Sequence, residues 1–142
     1  MGITQDKGDL GVAIAIGEMA KQGINCSIPI SEQQSYDLIG EHNKELKSIQ
    51  VRHTKMTKGV LTVKLKSVWS NSQGYQVKKR EVGDFDILCV FCPDTQKCYF
   101  ISDDCFSVGN ALTLRVEESK INIKTVRYAR DYEDCRKCFG SV

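Results

Sequence analysis

The sequence predicts an α/β (α+β) fold, one helix followed by a sheet, and three observations carry that expectation. Residues 8–22, GDLGVAIAIGEMAKQ, place apolar side chains at helical spacing. From Ile24 onward the pattern changes to short β-rich runs separated by turn residues. One run, DILCVFC from Asp86 to Cys92, is almost wholly apolar, as a strand buried on both faces must be. With 142 residues, 41% hydrophobic and 27% charged, the chain is expected to form one domain over 1–142, with no stretch composed like a disordered tail.

In the helix, Leu10, Ala13, Ile14, Gly17 and Ala20 share a face, Asp6 or Asp9 can cap the start, and Gly23 is a natural stop. INCSIPI suits a short strand that Pro29 confines to an edge or end. Tyr36 to His53, YDLIGEHNKELKSIQVRH, is expected to be a hairpin folded about Asn43-Lys44, since Asn tolerates the positive φ of a two-residue turn. In that register Asp37 faces Gln50, while Gln50 and Arg52 share one face and Ile49 and Val51 meet Leu38 and Tyr36 on the other. VLTVKLKSVW alternates Leu61, Val63 and Leu65 against Thr62, Lys64 and Lys66; NSQG turns the chain, and YQVKKREV returns. DILCVFC, the Pro93-Asp94 turn and CYFIS complete an expected meander, ALTLRVEE adds a strand, and TVRYARDYEDCRKC is open between a short helix and an extended tail.

Composition excludes some function classes. Twenty Lys and Arg against 18 acids give a net charge of +2, so charge distribution and not total charge must identify any nucleic-acid partner. No apolar run approaches the ~20 residues of a membrane span, and MGITQDKGD lacks the build of a signal peptide, so a cytoplasmic protein is expected. Seven cysteines is an odd number, which in a reducing compartment points to buried thiols or metal ligands before disulfides. Cys89-x-x-Cys92 and Cys135-x-x-Cys138 together would suit zinc, but an offset of three in a strand puts Cys89 and Cys92 on opposite faces. Zinc at Cys135 and Cys138 is accordingly not expected, Cys92 and Cys98 are expected to pack across their turn, and His42 and His53 are surface residues of the hairpin.

An acid facing a second oxygen ligand, with a cation two residues on, can hold a divalent metal beside a phosphate; a cross-strand acid near Arg is also ordinary as an exposed ion pair worth ~0–1 kcal/mol. The order KGDLG, Gly23, a strand to Pro29, YDL and IQVR resembles the PD-(D/E)XK nuclease superfamily, and more narrowly the homing endonucleases of bacterial group I introns. DFDILCVFCPDTQKCYFI and LTLRVEE are similar to that group as well. The resemblance implies a restriction-endonuclease-like mixed central sheet flanked by helices, and Mg²⁺- or Mn²⁺-dependent hydrolysis of DNA phosphodiesters. It also implies a bacterial, phage or other mobile-element origin. Asp37 would be the metal-binding acid, and Gln50 a neutral ligand where the wider superfamily has Asp or Glu. Many members carry a helix Glu where this chain has Val12, leaving Asp9 as the nearest further acid for metal and catalysis, ahead of Glu18 on the opposite helix face. Arg52 stands where the family has Lys; guanidinium stabilises charge but cannot act as a base.

The resemblance also favours an added basic β-ribbon at about 55–82 as the DNA-contacting element. Lys55, Lys58, Lys64, Lys66, Lys78, Lys79 and Arg80 would contact the backbone, and Asn71, Gln73 and Gln76 could read bases. Cutting both strands needs two sites, so a homodimer or homotetramer on double-stranded DNA is expected. Three functions fit: a site-specific homing endonuclease, a structure-selective nuclease resembling Holliday-junction resolvases, and a catalytically weakened DNA-binding protein on the same scaffold.

Overall fold

In a computed structural model the structure describes residues 3–31, 34–64, 66–71, 74–79, 84–103, 111–117 and 126–140. Helix α1 (Ile3–Lys21) is followed by β1 (Asn25–Ser27), β2 (Leu38–His42), β3 (Glu45–His53), β4 (Val60–Lys64), β5 (Lys66–Asn71), β6 (Gly74–Lys79), β7 (Ile87–Cys92), β8 (Lys97–Ser102) and β9 (Ala111–Arg115). The stretch with an open assignment forms two 3₁₀ turns, Ala129–Tyr132 and Cys135–Cys138. Among the described residues no helix is long and apolar enough to cross a membrane.

The main sheet is mixed, in the order β1-β2-β3-β7-β8. β3 and β7 run parallel, and the other pairs are antiparallel. The apolar β7 is an interior strand between β3 and β8, and it feeds two cores in alternation. Ile87, Cys89 and Phe91 pack under α1 with Ala15, Met19, Leu38, Ile49 and Phe100. Leu88, Val90 and Cys92 pack on the other face with Leu61, Val63, Leu112 and Leu114, contributed by a separate β4–β9 sheet. Each fully buried aliphatic side chain of this kind contributes about 1.5–3 kcal/mol, which is why β7 has no polar position to spare.

Several expectations need correction. The helix begins at Ile3, so Asp6 lies in its first turn and Asp9 lies further in, where neither caps the start. Its buried face is Gly11, Ala15 and Met19; Leu10 is 49% exposed, and Ala13, Gly17 and Ala20 face solvent. Apolar residues surround this helix, so periodicity alone picks the wrong stripe, and close approach decides instead. A Cβ on Gly11 would already touch Val51 Cγ1 at 3.4 Å. The stop at Gly23 is as expected: φ is +79°, Ile24 N–H bonds Met19 O at 2.9 Å and Gly23 N–H bonds Ala20 O at 3.1 Å, a Schellman end.

VLTVKLKSVW is not one strand. β4 pairs with β9, whereas β5 pairs with β6 as a two-stranded ribbon of its own, so the ribbon spans 66–79 and the expected meander is broken by the parallel β3–β7 pairing. At the other end of β3 the hairpin turn is as expected, with Asn43 at φ 50° and Lys44 at φ 67°. Gly40 in β2 has a close-packing role: a Cβ there would sit 2.9 Å from Ile49 Cδ1 and 3.5 Å from the Phe139 ring. Through that gap Phe139 docks on the hairpin edge-on to His42, and Gly140 N–H bonds the Glu45 carboxylate at 2.8 Å.

Candidate active site at the open end of the β2–β3 hairpin

The hairpin ladder runs from His42↔Glu45 to Leu38↔Ile49 in the expected register. One step further the pattern changes. Asp37 N–H bonds the Ile49 carbonyl at 2.9 Å, so Asp37 and Leu38 both oppose Ile49, as at a β-bulge, and Asp37 does not lie squarely across from Gln50. The added residue reverses the alternation before it. Tyr36, expected on the face of Ile49 and Val51, packs instead into the core on the opposite face of the sheet.

The bulge sends the Asp37 carboxylate along the sheet edge. Val51 N–H, beyond the end of β2, would lack a strand partner, and Asp37 Oδ2 accepts it at 2.8 Å. Among the described residues Oδ1 makes no hydrogen bond. Gln50 and Arg52 stand opposite Leu88 and Val90 of β7, and both are half-buried. Arg52 Nε is buried with no hydrogen-bond partner, and the guanidinium has no ion pair among the described residues. Burial pulls the Arg52 pKa below its ordinary value, and the nearby Asp37 charge acts in the opposite direction. A desolvated cation without a contacting anion costs free energy, so this is an electropositive place prepared for an anion.

The structure brings Asp37, Gln50 and Arg52 to this end of the hairpin. Asp9 is exposed on α1 and its carboxylate makes no hydrogen bond among the described residues, Val12 packs against the helix-side core, and Glu18 bonds Gln22 and Lys21. Among the described residues no three His, Cys, Asp or Glu side chains gather as a metal-binding group. Of the expected DNA contacts, Lys55, Lys58 and Lys64 are exposed. Lys66, Asn71, Gln76, Lys78 and Lys79 fall on β5 and β6, with Lys66 paired to Lys79 and Trp69 to Gln76, while Gln73 and Arg80 lie outside the described residues.

Cys89 and Cys92 face opposite cores, as an offset of three requires. The same alternation separates Cys92 from Cys98: Cys98 stands opposite Phe91 and joins the helix-side core, so these two do not pack across their turn. Cys89, Cys98, Cys135 and Cys138 share that core, with Cys26 against it. A hydrogen bond with the Cys98 thiol, together with burial, pushes the Cys89 pKa well above the ordinary thiol range, and burial pushes Cys135 up strongly. His53 is not a bare surface residue; its ring packs edge-on to Phe91 at 5.4 Å.

Sequence inspection gave no role to Asp86, Asp94 or Arg115. Asp86 Oδ2 accepts Ser48 N–H at 2.9 Å and the Ser48 hydroxyl at 3.2 Å, and Asp94 Oδ2 accepts Met56 N–H at 2.8 Å. Arg115 Nε, like that of Arg52, is buried without a hydrogen-bond partner. Asp86 could have been found by its flanks: Phe85-Asp86-Ile87 repeats the aromatic-acid-aliphatic order of Tyr36-Asp37-Leu38.

The mixed sheet thus gathers an acid, an amide and a desolvated guanidinium beside one another, just before β2 and on β3. Over residues 3–135 the sequence matches the PD-(D/E)XK endonuclease family, and the chain belongs to it; it is a nuclease whose substrate is DNA. The fold is similar to the solved structure of a bacterial homing endonuclease, I-Ssp6803I, with a TM-score of 0.77 and 22% identity over 96% of this chain and 92% of that one. No curated protein sequence matches.

Proposed function

We propose that the protein is a site-specific DNA endonuclease of the homing type, hydrolysing double-stranded DNA with a divalent metal held at Asp37 and Gln50. The observation that carries this is the Asp37 carboxylate, fixed by Val51 N–H at 2.8 Å beside an Arg52 guanidinium that has no ion pair among the described residues. The donor set suits Mg²⁺. This ion commonly takes one or two carboxylates, keeps several waters and completes its shell with substrate phosphate oxygens. Asp37 Oδ1 and the Gln50 amide have no hydrogen bond among the described residues, and both offer hard oxygen. When bound, Mg²⁺ supplies Lewis-acid polarisation of the phosphoryl group and activation of water.

The chain's own groups do the rest. Asp37 holds a negative charge at a fixed point, because its other oxygen is tied to the backbone of the strand that carries Gln50 and Arg52. Gln50 adds a neutral oxygen, so affinity for the ion is expected to be weaker than with a second carboxylate. Arg52 remains protonated, orients the phosphate and stabilises charge that builds on it, but it takes no proton from water. Two cuts across a duplex call for two such sites, and we propose a two-fold oligomer on a pseudo-palindromic target.

The neutral Gln50, the arginine at 52 and the apolar Val12 favour one other reading, a DNA-binding protein with weakened turnover. Cleavage of a random-site duplex library with and without Mg²⁺ or Mn²⁺ separates the two. Metal-dependent cutting at a defined sequence, abolished by Asp37→Ala and unchanged within a few fold by Asp9→Asn, supports the endonuclease. Sequence-selective binding with no cutting in either metal assigns the chain to the second reading.

A further inference from the structure

The β4–β9 sheet has an inner face, formed by Leu61, Val63, Leu112 and Leu114, that is buried on the main sheet. Alternation therefore turns Thr62, Lys64, Thr113 and Arg115 outward, and Thr62 stands directly opposite Thr113. The 126–130 segment extends this face. Arg115 N–H bonds the Arg127 carbonyl at 2.8 Å, Arg115 bridges Tyr128 in parallel, and the Arg130 guanidinium lies 4.5 Å over the Tyr128 ring. Arg115 is thus held from both sides by backbone pairing.

Its side chain has no matching support. Arg115 Nε is buried without a hydrogen-bond partner, and Arg115 has no ion pair among the described residues. Glu117, two residues on, is folded over Gly59 instead. A half-buried guanidinium with an unmet donor and no acid paired to it among the described residues, on a face that also presents Lys64, Arg130 and two opposed threonines, fits a polyanion whose phosphates arrive from outside. Lys64 lies four strand positions from the level of Arg115, about 13 Å along the sheet, far enough for the two side chains to reach different, non-adjacent phosphates of a duplex backbone. β4 ends at Lys64 and β5 begins at Lys66, so the sheet and the β5–β6 ribbon are close neighbours along the chain.

We propose that the outer face of the β4–β9 sheet is a second, sequence-independent DNA-backbone surface, with Arg115 as its central phosphate ligand and Lys64, Arg130, Thr62 and Thr113 around it. This rests on the nuclease reading. It steadies the flanking duplex while the hairpin and ribbon engage the target.

The test measures affinity of the full chain for a short random-sequence duplex by fluorescence anisotropy, from about 50 to about 200 mM salt, in an Asp37→Asn background that prevents cutting. Arg115→Gln should weaken binding about three- to tenfold and reduce the salt slope by about one, with Arg115→Lys restoring part of the loss. Lys64→Gln and Thr62→Glu, both at exposed positions, should weaken it in the same direction, and they decide the matter if Arg115→Gln melts early. Unchanged affinity and slope in variants that melt like the parent would overturn the proposal. Failure is distinguishable at the two levels: a chain with Asp37 intact that cuts DNA while these variants bind normally removes only this surface, whereas a parent that binds no duplex removes the nuclease reading too.

Discussion

Asp37 and Asp86 occupy matched positions on either side of β3. Each follows an aromatic residue that enters the core away from the helix, Tyr36 or Phe85, and precedes an aliphatic one that enters the helix-side core, Leu38 or Ile87. Each donates its own N–H to a β3 carbonyl, Ile49 at 2.9 Å or Ser48 at 3.0 Å. Each then accepts a β3 N–H on its carboxylate, from Val51 at 2.8 Å or Ser48 at 2.9 Å. The company differs. Asp86 exchanges further hydrogen bonds with the Ser48 hydroxyl and borders an open groove of about 400 Å³ lined also by Lys47 and Lys137. Asp37 sits by the Gln50 amide and a cation taken out of water. One backbone device therefore serves structure on the β7 side of β3 and, on our proposal, chemistry on its β2 side, and desolvation of the neighbouring cation marks the second use.

The sharpest way to break this comparison is to remove each acid. Asp37→Ala is expected to lower single-turnover cleavage on the order of 10³-fold or more while duplex binding persists. Asp86→Ala should leave cleavage by the folded protein within about fivefold, yet cost about 0.5–1.5 kcal/mol in urea unfolding, since it removes an exposed hydrogen bond from the Ser48 N–H. The opposite pattern would show that the two acids have been assigned the wrong way round.

A smaller effect is expected at Arg52. Arg52→Lys should retain cleavage within about tenfold, because a lysine also supplies positive charge. The pH profile is the finer readout. A buried ammonium has a lowered pKa, so the variant should lose rate as pH rises through that value, whereas the native guanidinium stays charged and gives no such limb. A fully active parent silenced by Arg52→Lys would remove Arg52 from its proposed role. Smallest, and of opposite sign, Lys44→Gly should stabilise the protein by about 0.5–1 kcal/mol, since Lys44 holds φ 67° in a turn that favours Asn-Gly; calorimetry would show a higher Tm.

What was legible in the sequence follows from how local each signal is. The hairpin register came from one turn dipeptide, and the buried β7 from a run without polar residues, because both depend on near neighbours. The helix stripe was misjudged because α1 is apolar on several sides, and only the approach of Gly11 to Val51 selects the buried one. Tyr36 was misplaced by a bulge that no residue type announces. The division of 60–69 between two sheets depends on β9, about fifty residues away, which offers Leu112 and Leu114 to β4. At the site, the residue types and the family resemblance point to Asp37, Gln50 and Arg52 as candidates, but not to the desolvation of Arg52 or to Asp86 as the counterpart of Asp37. Those facts arise from layers the chain assembles only in three dimensions.

The docking of Phe139 into the space above Gly40 has a kinetic consequence. A two-residue hairpin can close within about 1–10 μs on its own, long before distant segments meet. Yet the contact that clamps this hairpin's turn end, Gly140 N–H to Glu45, spans 95 positions in sequence, and the strand beside its open end, β7, joins in parallel only after β4, β5 and β6 have intervened. Loop closure of that range is slow. Refolding should therefore show hairpin formation early and nuclease competence late, with Gly40→Ala, which crowds Ile49 and Phe139, acting mainly on the late phase.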